Sequence, residues 1–140
     1  MVGVVVVTHG RLGEELLATA QGIVGELASA RALAVSAMES MEEARTALGR
    51  SIAELEQGQG VLVLTDMFGG TPANLALTFL DERRVEVVTG VNLPMLIKLS
   101  TARDSALSVG EIARLITGYG QKNIVHASAL LGARREDARR

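Results

Sequence analysis

Cysteine is absent from the 140 residues, which excludes disulfides and thiolate metal sites and leaves the cytoplasm as the simplest compartment. Tryptophan is absent as well, and Phe68, Phe79 and Tyr119 are the only aromatic residues, so a core must be assembled from Val, Leu, Ile, Ala and Met. With 48 % of residues hydrophobic there are enough of these for one domain to fold alone. Neither sign of charge dominates: 14 basic and 16 acidic residues leave a formal net charge of −2, too little to attract nucleic acid or an anionic membrane in general. Long apolar runs are missing too. The run that opens the chain stops at Val7, has no basic flank before it, and falls far short of the roughly 18 residues that a spanning helix requires. Neither a signal peptide nor direct membrane insertion is expected.

What is present begins with that same run. Val2-Gly3-Val4-Val5-Val6-Val7-Thr8 reads as a strand buried on both faces, and His9-Gly10 follows at its tip. Leu12, Leu16, Leu17, Ala20, Ile23, Val24 and Leu27 then recur at helical spacing, predicting an amphipathic helix from about Arg11 to about Leu27. Ala32 to Ala37 makes a second short strand, and Ser40 with Glu43 forms a capping box that opens a helix reaching Leu55. A third buried strand, Val61 to Thr65, ends at Asp66. Met67-Phe68-Gly69-Gly70-Thr71-Pro72 follows it, with Thr71 as a helix cap and Pro72 in the first helical position. Val85 to Thr89 is a fourth strand, and Gly90-Val91-Asn92-Leu93-Pro94 leads into a helix ending near Ala102. Ser108 and Glu111 repeat the capping signal before a last helix, and Asn123 to Ala127 can make a final strand.

This alternation indicates an α/β fold, an open, mostly parallel sheet with helices on both faces. Residues 1–130 are expected to form one domain, and residues 131–140 a charged, frayed tail. Right-handed crossovers put the tips of parallel strands on one edge of the sheet. Strand order 2-1-3-4 makes the first and third strands neighbours, so His9 and Asp66 can meet at the switch point where ligands bind in such sheets.

A carboxylate that accepts the Nδ1 proton fixes the imidazole tautomer and leaves Nε2 as a free lone pair. The pair His9 and Asp66 would then be an oriented nucleophile. Gly69, Gly70 and Thr71 open a helix beside it, and their backbone N–H groups suit a phosphoryl group, while Gly10 allows close approach next to His9. Taken singly, each feature has a bland explanation: a turn histidine, a helix-preceding carboxylate, a glycine turn with a good cap. Their convergence on one edge is what points to chemistry. His126 has no such company and reads as structural.

The motifs Thr8-His9-Gly10, Asp66-Met67-Phe68-Gly69-Gly70-Thr71-Pro72-Ala73-Asn74 and Gly90-Val91-Asn92-Leu93-Pro94-Met95-Leu96 stand in one order after the first, third and fourth strands. In this the chain resembles, over about residues 1 to 127, the enzyme IIA domain of the mannose family of the bacterial phosphoenolpyruvate-dependent sugar phosphotransferase system. The resemblance implies that His9 accepts a phosphoryl group on Nε2 from the histidine-containing phosphocarrier protein and passes it to a histidine of an enzyme IIB partner. It implies that Asp66 holds Nδ1–H, that Thr71 and nearby amides hold the phosphoryl oxygens, and that neither metal nor cofactor takes part. It further implies a homodimer in which an antiparallel C-terminal strand is exchanged between subunits, with a membrane permease reached only through IIB. Because the chain stops soon after the last expected strand, a separate IIB protein is expected.

A phosphocarrier needs an apolar rim for its partners, and Met67, Phe68, Asn92, Leu93, Pro94 and Met95 are the candidates, with core packing the other reading of the apolar ones. Three alternatives remain open at this level. A histidine phosphatase would carry an Arg-His-Gly motif, where Thr8 stands here. A dihydroxyacetone kinase phosphocarrier subunit shares the fold and histidine logic. A regulatory module whose phosphorylation state gates binding would use the same site residues without a transport role.

Overall fold

The computed structural model describes residues 1–80 and 84–132. Four parallel strands, β1 (Gly3–Thr8), β2 (Ala30–Ala34), β3 (Val61–Thr65) and β4 (Val85–Val88), form one sheet in the order β2-β1-β3-β4. The layers are completed by helices α1 (Leu12–Val24), α2 (Met41–Leu55), α3 (Thr71–Leu77), α4 (Leu93–Ala102) and α5 (Val109–Lys122). The expected α/β architecture and strand order are both present.

The central strands β1 and β3 are buried throughout, which explains why they are unbroken apolar runs rather than alternating ones. Alternation of side chains across the pleat sorts these residues into two cores. Val4, Val6, Leu62 and Leu64 pack with α1, α4 and α5 through Leu17, Leu96, Leu99, Ile112 and Ile116. Val5, Val7, Val61 and Val63 face the other way, onto Leu48, Ile52, Leu75 and Phe79 of the α2 and α3 side. Both faces of β1 are therefore clamped, and its C-terminal tip is held as firmly as its middle. Among the described residues, no helix is long and apolar enough to cross a membrane.

Local signals set most of the boundaries. Asn92 accepts the Met95 amide (3.1 Å) as N-cap of α4, and Ser108 with Glu111 closes a complete capping box on α5. On α2 the box is half made: Ser40 accepts the Glu43 amide at 3.0 Å, but the Glu43 carboxylate takes the Glu39 amide instead of that of Ser40. Helix α1 ends at Val24 rather than at Leu27, because Gly25 turns there and returns its amide to the Gln21 carbonyl. Strand β2 begins earlier than the periodicity indicates and stops at Ala34, giving way to a 3₁₀ turn over Val35–Ala37.

The expected antiparallel C-terminal strand is not formed in this chain. Residues 124–126 are irregular and residues 127–132 are helical. A strand needs an edge to bond to, and here the Ile124 amide reaches back to the Gln121 carbonyl (3.3 Å) while the Asn123 side chain bonds the Tyr119 carbonyl (2.9 Å). The segment stays wound onto the end of α5, with Ile124 and Val125 exposed. The charged tail, apart from its first residues, lies outside the described residues.

Candidate functional site

Parallel pairing in register places Val7 of β1 beside Thr65 of β3, so each chain leaves the sheet at the same level. The next residues meet: His9 Nδ1 lies 2.8 Å from Asp66 Oδ2, and the same oxygen accepts the His9 backbone amide at 3.0 Å. The second carboxylate oxygen accepts the amide of Met67 at 3.1 Å. With Asp66 as acceptor, the ring proton resides on Nδ1 and the Nε2 lone pair is left free.

The two side chains differ in exposure in a useful way. The His9 side chain is 52 % exposed and that of Asp66 only 12 %, so the carboxylate is fixed beneath a ring that projects outward. Burial alone would raise the Asp66 pKa. The hydrogen bonds from the His9 ring and amide and from its own backbone, together with the attraction of a protonated His9, outweigh this and hold it below the ordinary carboxylate range. Asp66 is thus ionised and acceptor-only at neutral pH, as its role toward Nδ1–H requires.

Gly70 forms the opposite wall. A Cβ added there would stand 2.8 Å from His9 Cε1 and 3.5 Å from Nε2, so the ring rests directly on glycine backbone. The requirement for glycine is steric, since Gly70 has φ −83° and ψ 168°, an extended conformation open to any residue. Gly70 is also the N-cap of α3, because its carbonyl accepts the Asn74 amide at 3.0 Å. This corrects the expectation that Thr71 is the cap. Thr71 occupies the first turn with Pro72, exposed, and Gly69 is exposed in the turn before it. Helix α3 thus starts from Gly70, against which the ring rests, and its first-turn amides of Thr71 and Ala73 have no acceptor within the helix, Pro72 having no N–H.

Gly10 follows His9 directly, and its amide is donated to Ser36 Oγ at 2.9 Å. The rim is divided as well. Met67 and Phe68 are strongly exposed, Phe68 at 77 %, whereas Met95 is 3 % exposed and belongs to the core. Met95 therefore lines no docking surface. Asn92 is occupied in fixing α4 to α5, since its Nδ2 bonds the Gly120 carbonyl at 3.2 Å, and Leu93 and Pro94 are half-buried. His126 stands exposed in the irregular segment after α5.

Two residues near the site escaped sequence reasoning. Thr8 Oγ1, fully buried, accepts the Gly13 amide at 2.7 Å and so caps α1 from the strand before it. Ser36 reaches Gly10 from the 3₁₀ turn that follows β2. Thr8 offered a signal, a hydroxyl placed just ahead of a helix whose own N-cap, Arg11, makes no side-chain cap.

The sequence model of a family described as "PTS system fructose IIA component", EIIA-man, matches residues 3–117. The chain belongs to the EIIA-man family. It is 33 % identical over 124 residues to the PTS system mannose-specific EIIAB component of Escherichia coli K12, covering 88 % of this chain and 38 % of that protein. The chain thus spans well under half the length of that relative. Among solved structures, the PTS IIA protein associated with the fucose utilization operon of Streptococcus pneumoniae has a TM-score of 0.79 at 33 % identity, covering 92 % of this chain and 95 % of that one. The mannose/sorbose-specific IIA subunit of Enterococcus faecalis has a TM-score of 0.76 at 35 % identity, covering 89 % and 92 %. This EIIA-man chain is accordingly a phosphotransferase-system IIA component.

Proposed function

We propose that the protein accepts a phosphoryl group on His9 Nε2 from the histidine-containing phosphocarrier protein and hands it to a histidine of an enzyme IIB partner. The observation that carries this reading is the bond between His9 Nδ1 and Asp66 Oδ2 at 2.8 Å, on a ring whose other nitrogen faces Gly70 and the start of α3. In the forward step the Nε2 lone pair attacks phosphorus in line, the P–N bond to the donor imidazole breaks, and the donor nitrogen keeps the electron pair. Asp66 stabilises the positive charge that develops on the ring by holding Nδ1–H throughout. The amides of Gly69, Gly70 and Thr71 meet the phosphoryl oxygens. The second transfer reverses these roles, with His9 as leaving group. Geometry and electrostatics are the main demands of such a transfer.

A half-exposed histidine with Met67 and Phe68 beside it suits a protein donor, whose reacting imidazole must approach over a surface. A membrane permease is engaged only through IIB. The same reading includes a homodimer. Strand β4 is an end strand of the sheet, with a shallow groove of about 510 Å³ running between it and α5, lined in part by Val87, Val88, Ala113 and Thr117. Ile124 and Val125, exposed in the single chain, are an apolar β-branched pair suited to pairing along such an edge in a second subunit.

The decisive experiment incubates the protein with phosphoenolpyruvate, enzyme I and the phosphocarrier protein, then maps the label. Phosphate on His9, lost in His9→Ala, is the expected result. Label on His126, or none on the wild type, would sink the proposal.

A further inference from the structure

We propose that Ser36 is a positioning residue for the His9 nucleophile, one that fixes the backbone on the side Asp66 does not reach. The inference rests on His9 being the phosphoryl acceptor. Its basis is the pair of peptide planes that flank His9 Cα. The plane before it carries the His9 amide, held by Asp66 Oδ2 at 3.0 Å. The plane after it carries the Gly10 amide, held by Ser36 Oγ at 2.9 Å. One acceptor comes from beyond β3 and the other from beyond β2, on opposite sides of β1.

Two held planes leave the φ and ψ of His9 fixed, and with them the direction of its Cα–Cβ bond. Asp66 alone would leave ψ free to respond to the turn, and that turn contains a residue with little conformational preference. Gly10 adopts φ +51°, a left-handed conformation that glycine enters and leaves with ease. The Ser36 bond holds the peptide plane from which that turn departs. Register accounts for its placement: Thr8 pairs with Ala34, so two residues further on each chain Gly10 stands level with Ser36. The 3₁₀ turn over Val35–Ala37 carries the hydroxyl to that position. Among the described residues Ser36 Oγ makes no other hydrogen bond.

A small displacement of a reacting atom lowers the rate of transfer without altering the fold. Ser36→Ala should therefore slow phosphorylation of His9 about tenfold, since water competes for a bond at an exposed position. The test uses phosphoramidate as a small-molecule donor, whose P–N bond breaks as the P–Nε2 bond forms and ammonia leaves, so that no partner protein is required. The expected results are a slower rate for Ser36→Ala at unchanged Tm, recovery in Ser36→Thr, which keeps the hydroxyl, and an unchanged pH midpoint of labelling, because Asp66 still sets the tautomer. An unaltered rate in Ser36→Ala would overturn the assignment. So would a loss that follows a fall in Tm and persists in Ser36→Thr. Labelling of wild-type His9 by phosphoramidate but not by the phosphocarrier protein would count against the proposed function and leave the Ser36 comparison intact.

Discussion

The tip of β1 and the segment that follows α5 are both exposed, but they are exposed for opposite reasons. At the tip, the protein itself supplies partners: Asp66, Ser36 and Thr8 accept the amides of His9, Gly10 and Gly13, and Gly70 supports the ring. Only the edge of the imidazole that would react is left open. Beyond α5, Ile124 is 77 % exposed and Val125 56 % among the described residues. The first region is complete and displays one atom to visitors. The second leaves two β-branched side chains exposed, which is what the proposed homodimer would cover. For the proposed phosphoryl acceptor, Asp66 and Ser36 follow the two strands that flank β1, so strand register helps to set the angle of the ring.

The sharpest way to break this contrast is to remove the partner that the tip depends on most. Asp66→Ala takes away the acceptor of both the ring proton and the His9 amide, freeing the tautomer and the backbone together. Phosphorylation of His9 should slow by up to about 10⁴-fold, the loss seen when the orienting carboxylate of a catalytic histidine is removed elsewhere, with quench-flow labelling as the measurement. A rate within a factor of two of wild type would show that the pair is merely structural. Gly70→Ala attacks the opposite wall. Its methyl would lie 2.8 Å from His9 Cε1, so the ring must swing away, and a loss of about 10²-fold is expected at little cost in Tm. A crystal structure of that variant with the ring unmoved would show that the wall is softer than its geometry indicates.

The difference between the regions also explains what was legible in the residues. Val61 to Thr65 stands out because it is a continuous apolar run bounded by Gly60 and Asp66, and Asn92 and Ser108 stand out because capping is a matter of three residues. The meeting of His9 and Asp66 follows from strand order alone, which the β-α alternation constrains. Ser36 was hidden because its link to Gly10 depends on the register of β1 with β2, and because β2 gives way to a 3₁₀ turn where apolar pattern suggests more strand. Thr71 was misplaced by a single residue, the distance between a cap and a first helical turn. Met95 has the composition of a rim residue and the burial of a core residue, and only packing separates the two. The pattern over Asn123 to Ala127 is that of a strand, but strands require an edge, and pattern does not say whose.

That last point makes the second region testable. Ile124→Lys with Val125→Lys places two charges on the apolar segment, which should prevent it from adding to the end strand of another subunit. Sedimentation should show a dimer in the wild type and a monomer in the variant, while the rate of labelling by phosphoramidate changes less than about threefold, because the Asp66 and Ser36 bonds at the tip are made within one chain. A variant that stays dimeric would place the interface elsewhere. A large loss of labelling in the monomer would show that the tip is not self-sufficient after all.

The smallest effect concerns the tip's contribution to stability, and it has a definite sign. The Asp66 pKa is depressed in the folded chain, so folding favours the ionised form. The resulting stabilisation is complete above the ordinary carboxylate pKa of about 4 and is lost as pH falls through the lower folded value. Urea unfolding of wild type and Asp66→Asn should differ by a constant amount from about pH 5 to 7, and the two curves should converge in the acid range as the wild-type carboxylate protonates. The difference should be modest because its partner is a half-exposed ring, accessible to water and salt. A difference that persists undiminished into the acid range would show that the Asp66 carboxylate is not favoured in its ionised form by folding.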